Sequence, residues 1–90
     1  MKRVEIIANR SIEDNIMEAL RTKGLAKFYT KYPIVLGEGS SGARLGDAIW
    51  PEENFVLVVW CEDEEARQIE QAVQPVKEQY PSEGVKVFCL

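Results

Sequence analysis

The hydrophobic positions change period several times along the chain. Val4-Glu5-Ile6-Ile7-Ala8 is β-branched and apolar and predicts a first strand. Ile12, Ile16 and Leu20 then recur every four residues with Ala19 beside them, one stripe of an amphipathic helix. Ser11 is placed to cap that helix, Glu13 and Asp14 suit its first turn, and Gly24 suits its end. Phe28 to Tyr32 and Ile34 to Leu36 resume strand composition around Pro33, which predicts an edge strand because proline cannot donate to a neighbour. Phe55 to Trp60 is apolar throughout and predicts a third strand. Asp63 is expected to cap a second helix carrying Ala66, Ile69, Val73, Val76 and Tyr80, which Pro75 should kink or end near Gln74. After the turn Pro81-Ser82-Glu83-Gly84, Val85 to Leu90 is the last strand.

The order is βαββαβ, an α+β chain of ferredoxin-like arrangement: a four-stranded antiparallel sheet with both helices on one face. The other face should then alternate with polar residues. It does not. Both parities of the third strand are apolar, Ile7 joins Glu5, and Phe88 and Leu90 join Lys86. Either a central strand leaves some apolar surface in water, or copies of the chain pack sheet against sheet; burial worth about 1.5–3 kcal/mol per large side chain favours the second.

The length of 90 residues fits one domain, 1–90, and a domain of that size is marginal enough alone to make assembly worth expecting. Hydrophobic residues at 46% and charged residues at 29% describe a globular chain, and a net charge of -4 offers no field for nucleic acid. The apolar run of the first ten residues is too short for a leader or a membrane span, so a cytoplasmic protein is expected. Histidine is absent, which removes the usual general base and the commonest metal ligand. No enzyme and no metal site is expected. Cys61 and Cys89 read as strand-end packing residues, and the cysteine of the closing Phe-Cys-Leu is misplaced for prenylation. Lys2, Arg3, Lys27 and Lys31 either form a shallow basic rim or are scattered surface charges, and Glu52-Glu53 reads as solvated.

Between the middle strands runs Gly37-Glu38-Gly39-Ser40-Ser41-Gly42-Ala43-Arg44-Leu45-Gly46-Asp47-Ala48-Ile49-Trp50, continuing to Asn54. Hairpin connections normally take about 2–5 residues, so this loop either is a tolerated insertion or has a binding role, and its length favours the second. Its first six residues match G-x-G-x-x-G. No helix follows to meet a pyrophosphate, and the other parts of a kinase do not fit this length. The capability itself survives: Gly37, Gly39, Ser40, Ser41 and Gly42 let backbone N–H groups approach an anion, with Glu38 among them, and Arg44 can add a bidentate grip. Asp47 can instead pair with Arg44 and shape the loop. Trp50 either packs or anchors a partner.

With its opening KRVEIIANRSIEDNIMEAL, the base Gly37-x-Gly39 and the position of the long loop, the chain resembles the PII signalling proteins and their PII-like relatives. The resemblance spans nearly the whole chain in pattern. It implies a homotrimer whose sheets face a central core, clefts between subunits that take small effectors, and a loop, here Gly37 to Asn54, that regulates partner proteins such as transporters or enzymes. It does not carry ATP or 2-oxoglutarate binding, because Tyr80-Pro81-Ser82-Glu83-Gly84 stands where PII proteins have a Gly- and Lys-rich phosphate loop. The basic C-terminal extension and the uridylylated tyrosine of some members also have no counterpart. The cofactor is left open. Two other readings stay in play: a small enzyme using Glu38 or Asp47 with a neighbouring subunit, and a structural subunit whose loop mediates assembly.

Overall fold

The computed structural model describes residues 1–37 and 52–90. Its elements run β1 (Lys2–Asn9), a 3-10 turn (Arg10–Ile12), α1 (Glu13–Thr22), β2 (Thr30–Gly37), β3 (Glu52–Cys61), α2 (Asp63–Gln79) and β4 (Val85–Cys89). The strands form one antiparallel sheet in the order β2-β3-β1-β4. This is the ferredoxin-like α+β arrangement, and β2 lies at an edge, as Pro33 required. A register shift between Tyr32 and Val35 takes the proline out of the ladder.

Alternation decides which side chains meet the helices. Val4, Ile6 and Ala8 of β1 and Phe55, Leu57, Val59 and Cys61 of β3 are buried on that side. They pack with Ile12, Ile16 and Leu20 from the first helical segment and Ala66, Ile69, Ala72, Val73 and Val76 of α2. No polar or charged residue is buried among the described residues.

Four local expectations need correction. Ser11 does not cap a helix; Asn9 does so earlier, its Oδ1 accepting from the Ser11 N–H at 2.9 Å and opening the 3-10 turn. Glu62, not Asp63, occupies the N-cap of α2, and Asp63 is its first residue. Pro75 does not end α2. Pro75 and Gln71 both lie on the exposed face, so the carbonyl that loses its donor is on the solvent side, while Val73 and Val76 flank the proline in the core. Finally, β2 runs through Gly37 and β3 begins at Glu52, three residues before the expected start, so the strands claim both ends of the long connection.

The end of α1 follows expectation. Gly24 has φ +67°, its N–H donates to the Arg21 carbonyl, and the Leu25 N–H donates to the Leu20 carbonyl. That pair of bonds is a Schellman motif. Ala26 is the one non-glycine residue with positive φ (54°) among those described, and its N–H donates to Glu65 Oε2 at 2.9 Å.

Candidate functional site

The hairpin register brings the foot of the loop together. Val35 faces Asn54, Leu36 faces Glu53 and Gly37 faces Glu52. A Cβ added at Gly37 would stand 2.8 Å from Asn54 Nδ2, so glycine lets the Asn54 amide lie against the backbone here, and a side chain would turn it aside. On the other side of β3, Asn9 pairs with Asn54 and donates its N–H to the Gly84 carbonyl at 3.0 Å. Arg10 Nη1 donates to Glu53 Oε1 at 2.8 Å, tying the end of β1 to the foot of the loop. Glu53 is therefore exposed but paired, not merely solvated. Of the expected loop residues, Gly37 lies at this foot, inside a strand. Glu38, Gly39, Ser40, Ser41, Gly42, Arg44, Asp47 and Trp50 lie outside the described residues.

The sheet face away from the helices leads up to this foot in rows that cross the strands. One row runs Tyr32, Val56, Ile7, Lys86; the next runs Thr30, Val58, Glu5, Phe88. The far row joins Trp60 to Arg3, and Arg3 to Leu90 through two backbone hydrogen bonds of 3.0 and 2.8 Å. Trp60 is 59% exposed, Tyr32 52%, Phe88 44% and Leu90 67%. The apolar character anticipated for this face therefore reaches all four strands, broken by Lys86 in the first row, by Thr30 and Glu5 in the second and by Arg3 in the third. Two of its charges, Arg3 and Glu5, are joined to Trp60 in a cluster. Arg3 stacks on Trp60, 5.5 Å from guanidinium carbon to ring centroid, and its Nε donates to Glu5 Oε2 at 2.6 Å. The sequence reading did not foresee this cluster, although the i, i+2 spacing of Arg3 and Glu5 beside Ile7 was the signal for it.

The other candidate charges separate. Arg3 points across the open face, whereas Lys31 Nζ donates to Glu13 Oε2 at 2.7 Å, tying β2 to the start of α1. They do not form a basic rim. The hydrogen bond from Lys31 to Glu13 holds the ammonium above its ordinary range. Burial raises the Cys61 thiol, and burial with the hydrogen bond to Glu70 raises Cys89, the reverse of what an activated thiolate requires. Both cysteines are free. Among the described residues no group of carboxylates and thiols is placed to hold a metal ion, and no helix is long and apolar enough to cross a membrane.

Comparison with known proteins bears on this geometry. The family model for nitrogen regulatory protein P-II matches residues 1–90. A solved structure described as that of a PII-like signalling protein from Thermus thermophilus is 29% identical, with a TM-score of 0.66 over 99% of this chain and 83% of that one. CPII from Thiomonas intermedia, a nitrogen regulatory PII-like protein, was solved bound to ADP, AMP and bicarbonate; it is 19% identical, with a TM-score of 0.72 over 99% and 86% of the two chains. Its form bound to ADP and bicarbonate aligns at 24% identity and a TM-score of 0.68, covering 99% and 84%. At these identities CPII supports the fold alone. No curated protein matches the sequence. With the family model matching from the first residue to the last and the βαββαβ sheet in place, the chain belongs to the nitrogen regulatory protein P-II family.

Proposed function

We propose that this chain is a cytoplasmic, non-catalytic regulatory subunit that assembles as a homotrimer through its open sheet face. The loop rising from Gly37 and Asn54 binds a small anionic effector and presents a conformation that a partner protein reads. The observation that carries the proposal is the continuity of the apolar rows with the polar foot of the loop. A copy packed on Trp60, Phe88 and Tyr32 ends its interface beside Asn9, Asn54, Arg10 and Gly37, so a cleft between copies opens where the loop begins. Burying these side chains, at about 1.5–3 kcal/mol each, is of the size needed to offset an association cost of about 4–15 kcal/mol.

The anionic class rests on Arg44 and the Gly-Ser run of the loop. The bicarbonate and adenine nucleotides held by the CPII structures support it as an analogy of fold. Binding acts by ordering one loop conformation at the expense of others. The test is a thermal-shift panel of ADP, AMP, bicarbonate and simple carboxylates on the purified protein, repeated with Arg44→Ala. A stabilising anion whose effect falls with Arg44→Ala supports the reading; an effect untouched by that change removes Arg44 from the site. Pull-down with and without the loop then tests the partner.

A further inference from the structure

The connection from α1 to β2 borders a hollow at the end of β2 opposite Gly37. It has a volume of about 270 Å³. Its floor is apolar: Leu20 and Leu25 are buried and Met17 partly so, and Tyr29 closes one side. Among the described residues, the charged ones lining it are Arg21 and Lys27. Both are exposed, and neither forms an ion pair among the described residues. In a chain of net charge -4, a cavity edged only by cations is a local reversal of sign.

Arg21 has a simpler use, since a cation in the last turn of a helix complements its dipole. That account does not reach Lys27, which lies beyond the helix with its stem over Gly24. The negative end of the helix opposes an anion here, and the Schellman bonds occupy only the Leu20 and Arg21 carbonyls, so the two cations have that opposition to outweigh. Glu65 of α2 stands close by: it is held by the Ala26 N–H and lines an adjoining hollow that shares Gly24 and Lys27 with this one, so Lys27 borders a carboxylate on its other side. The backbone here is also strained: Ala26 is kept left-handed by that contact with α2. Backbone of this kind is retained where surroundings over-determine it, and ligand clamps are one such place.

We propose that this hollow binds a small monocarboxylate with a compact apolar body. The body rests on Met17, Leu20 and Leu25, and the carboxylate sits between Arg21 and Lys27. The volume is below the about 300–1,000 Å³ of pockets that take drug-sized ligands, which restricts the occupant to a small acid. Because the hollow is at the far end of β2 from Gly37, the proposal is independent of the effector assigned to the loop.

Phenylacetate is a suitable probe, followed by amide NMR of the uniformly labelled protein, with phenylacetamide as the uncharged control and inorganic phosphate as the charge without the body. Phenylacetate should shift the Gly24, Leu25 and Ala26 amides saturably, with little response to either control. Arg21→Gln and Lys27→Gln should each weaken binding about tenfold, one charge-assisted contact being lost. Without ligand, Lys27→Gln should keep the parent melting temperature, as its side chain is exposed, and Arg21→Gln should lower it only by the small loss of its helix-dipole contribution. The proposal fails if phenylacetamide binds equally well, if phosphate alone reproduces the shifts, if the shifts fall at Gly37 and Asn54 instead, if no amide responds, or if both variants bind unchanged.

Discussion

The Arg3 guanidinium lies over the ring of Trp60, 5.5 Å from its centroid, and from there it donates to Glu5 at the middle of the open sheet. The stack leaves the cation attached to the two groups best able to hold it as water is withdrawn. Glu5 has Val58 on one side and Phe88 on the other, with no second cation among its paired neighbours. Its carboxylate therefore depends on Arg3 once another sheet covers it.

This dependence gives a double-mutant test. Arg3→Gln should weaken assembly by about 2–5 kcal/mol, because it strands the Glu5 charge in the interface. Adding Glu5→Gln should recover most of that loss. Dissociation on dilution, followed by light scattering, measures both. Additive losses would place the pair outside the interface.

At the foot of the loop the prediction concerns packing. Gly37→Ala sets a methyl 2.8 Å from the Asn54 Nδ2, so the amide must turn aside, and it should cost up to about 1 kcal/mol in urea unfolding at fixed protein concentration. Asn54→Ala in the same chain should remove most of the penalty, since it removes the atom that is struck. Equal destabilisation with and without Asn54 would contradict the close approach.

The two left-handed residues should respond in opposite directions. Gly24→Ala places a Cβ at φ +67° and should destabilise by about 1–2 kcal/mol. Ala26→Gly relieves comparable strain at φ 54° and loses about 0.5–1 kcal/mol to the freer unfolded chain, so it should be neutral to slightly stabilising. Thermal unfolding of the two variants separates them.

Lys31 supplies a pH test with a definite sign. Its pKa in the folded chain is raised above the ordinary 10.5 by Glu13, so its contribution is fully present below that value. The contribution is lost as pH rises through the folded value. Stability should therefore fall more steeply above about pH 10.5 for the parent than for Lys31→Met, compared by denaturant unfolding. Parallel alkaline limbs would show that the pair adds nothing.

The element order, the edge position of β2 and the apolar underside were legible in the sequence because each rests on side-chain period over many residues. The errors were local. Asn9 and Ser11 are both good capping residues, and only the turn geometry after β1 shows that Asn9 is used. Pro75 was expected to kink or end α2 from the general effect of proline, although the stripe of Ala66, Ile69, Val73 and Val76 already places Gln71 and Pro75 on the opposite, wet face. The base of the loop was half legible: Gly37 was selected for its place in a glycine run, yet its neighbour Asn54, whose amide lies against it, is seventeen positions away. The bond from the Ala26 N–H to Glu65 comes from a connection with no periodic signal. Arg3 and Glu5 were visible as charges, but their meeting with Trp60 depends on the β1–β3 register.

The central claim is that copies of this chain close over the sheet face carrying Trp60 and Phe88. Light scattering coupled to size exclusion, on the parent and on Trp60→Glu/Phe88→Glu at micromolar concentration, addresses it directly. The expected result is a trimer for the parent and a folded monomer, with unchanged far-ultraviolet dichroism, for the variant. A parent chain that elutes as monomer throughout, or a double variant that remains a trimer, would contradict it.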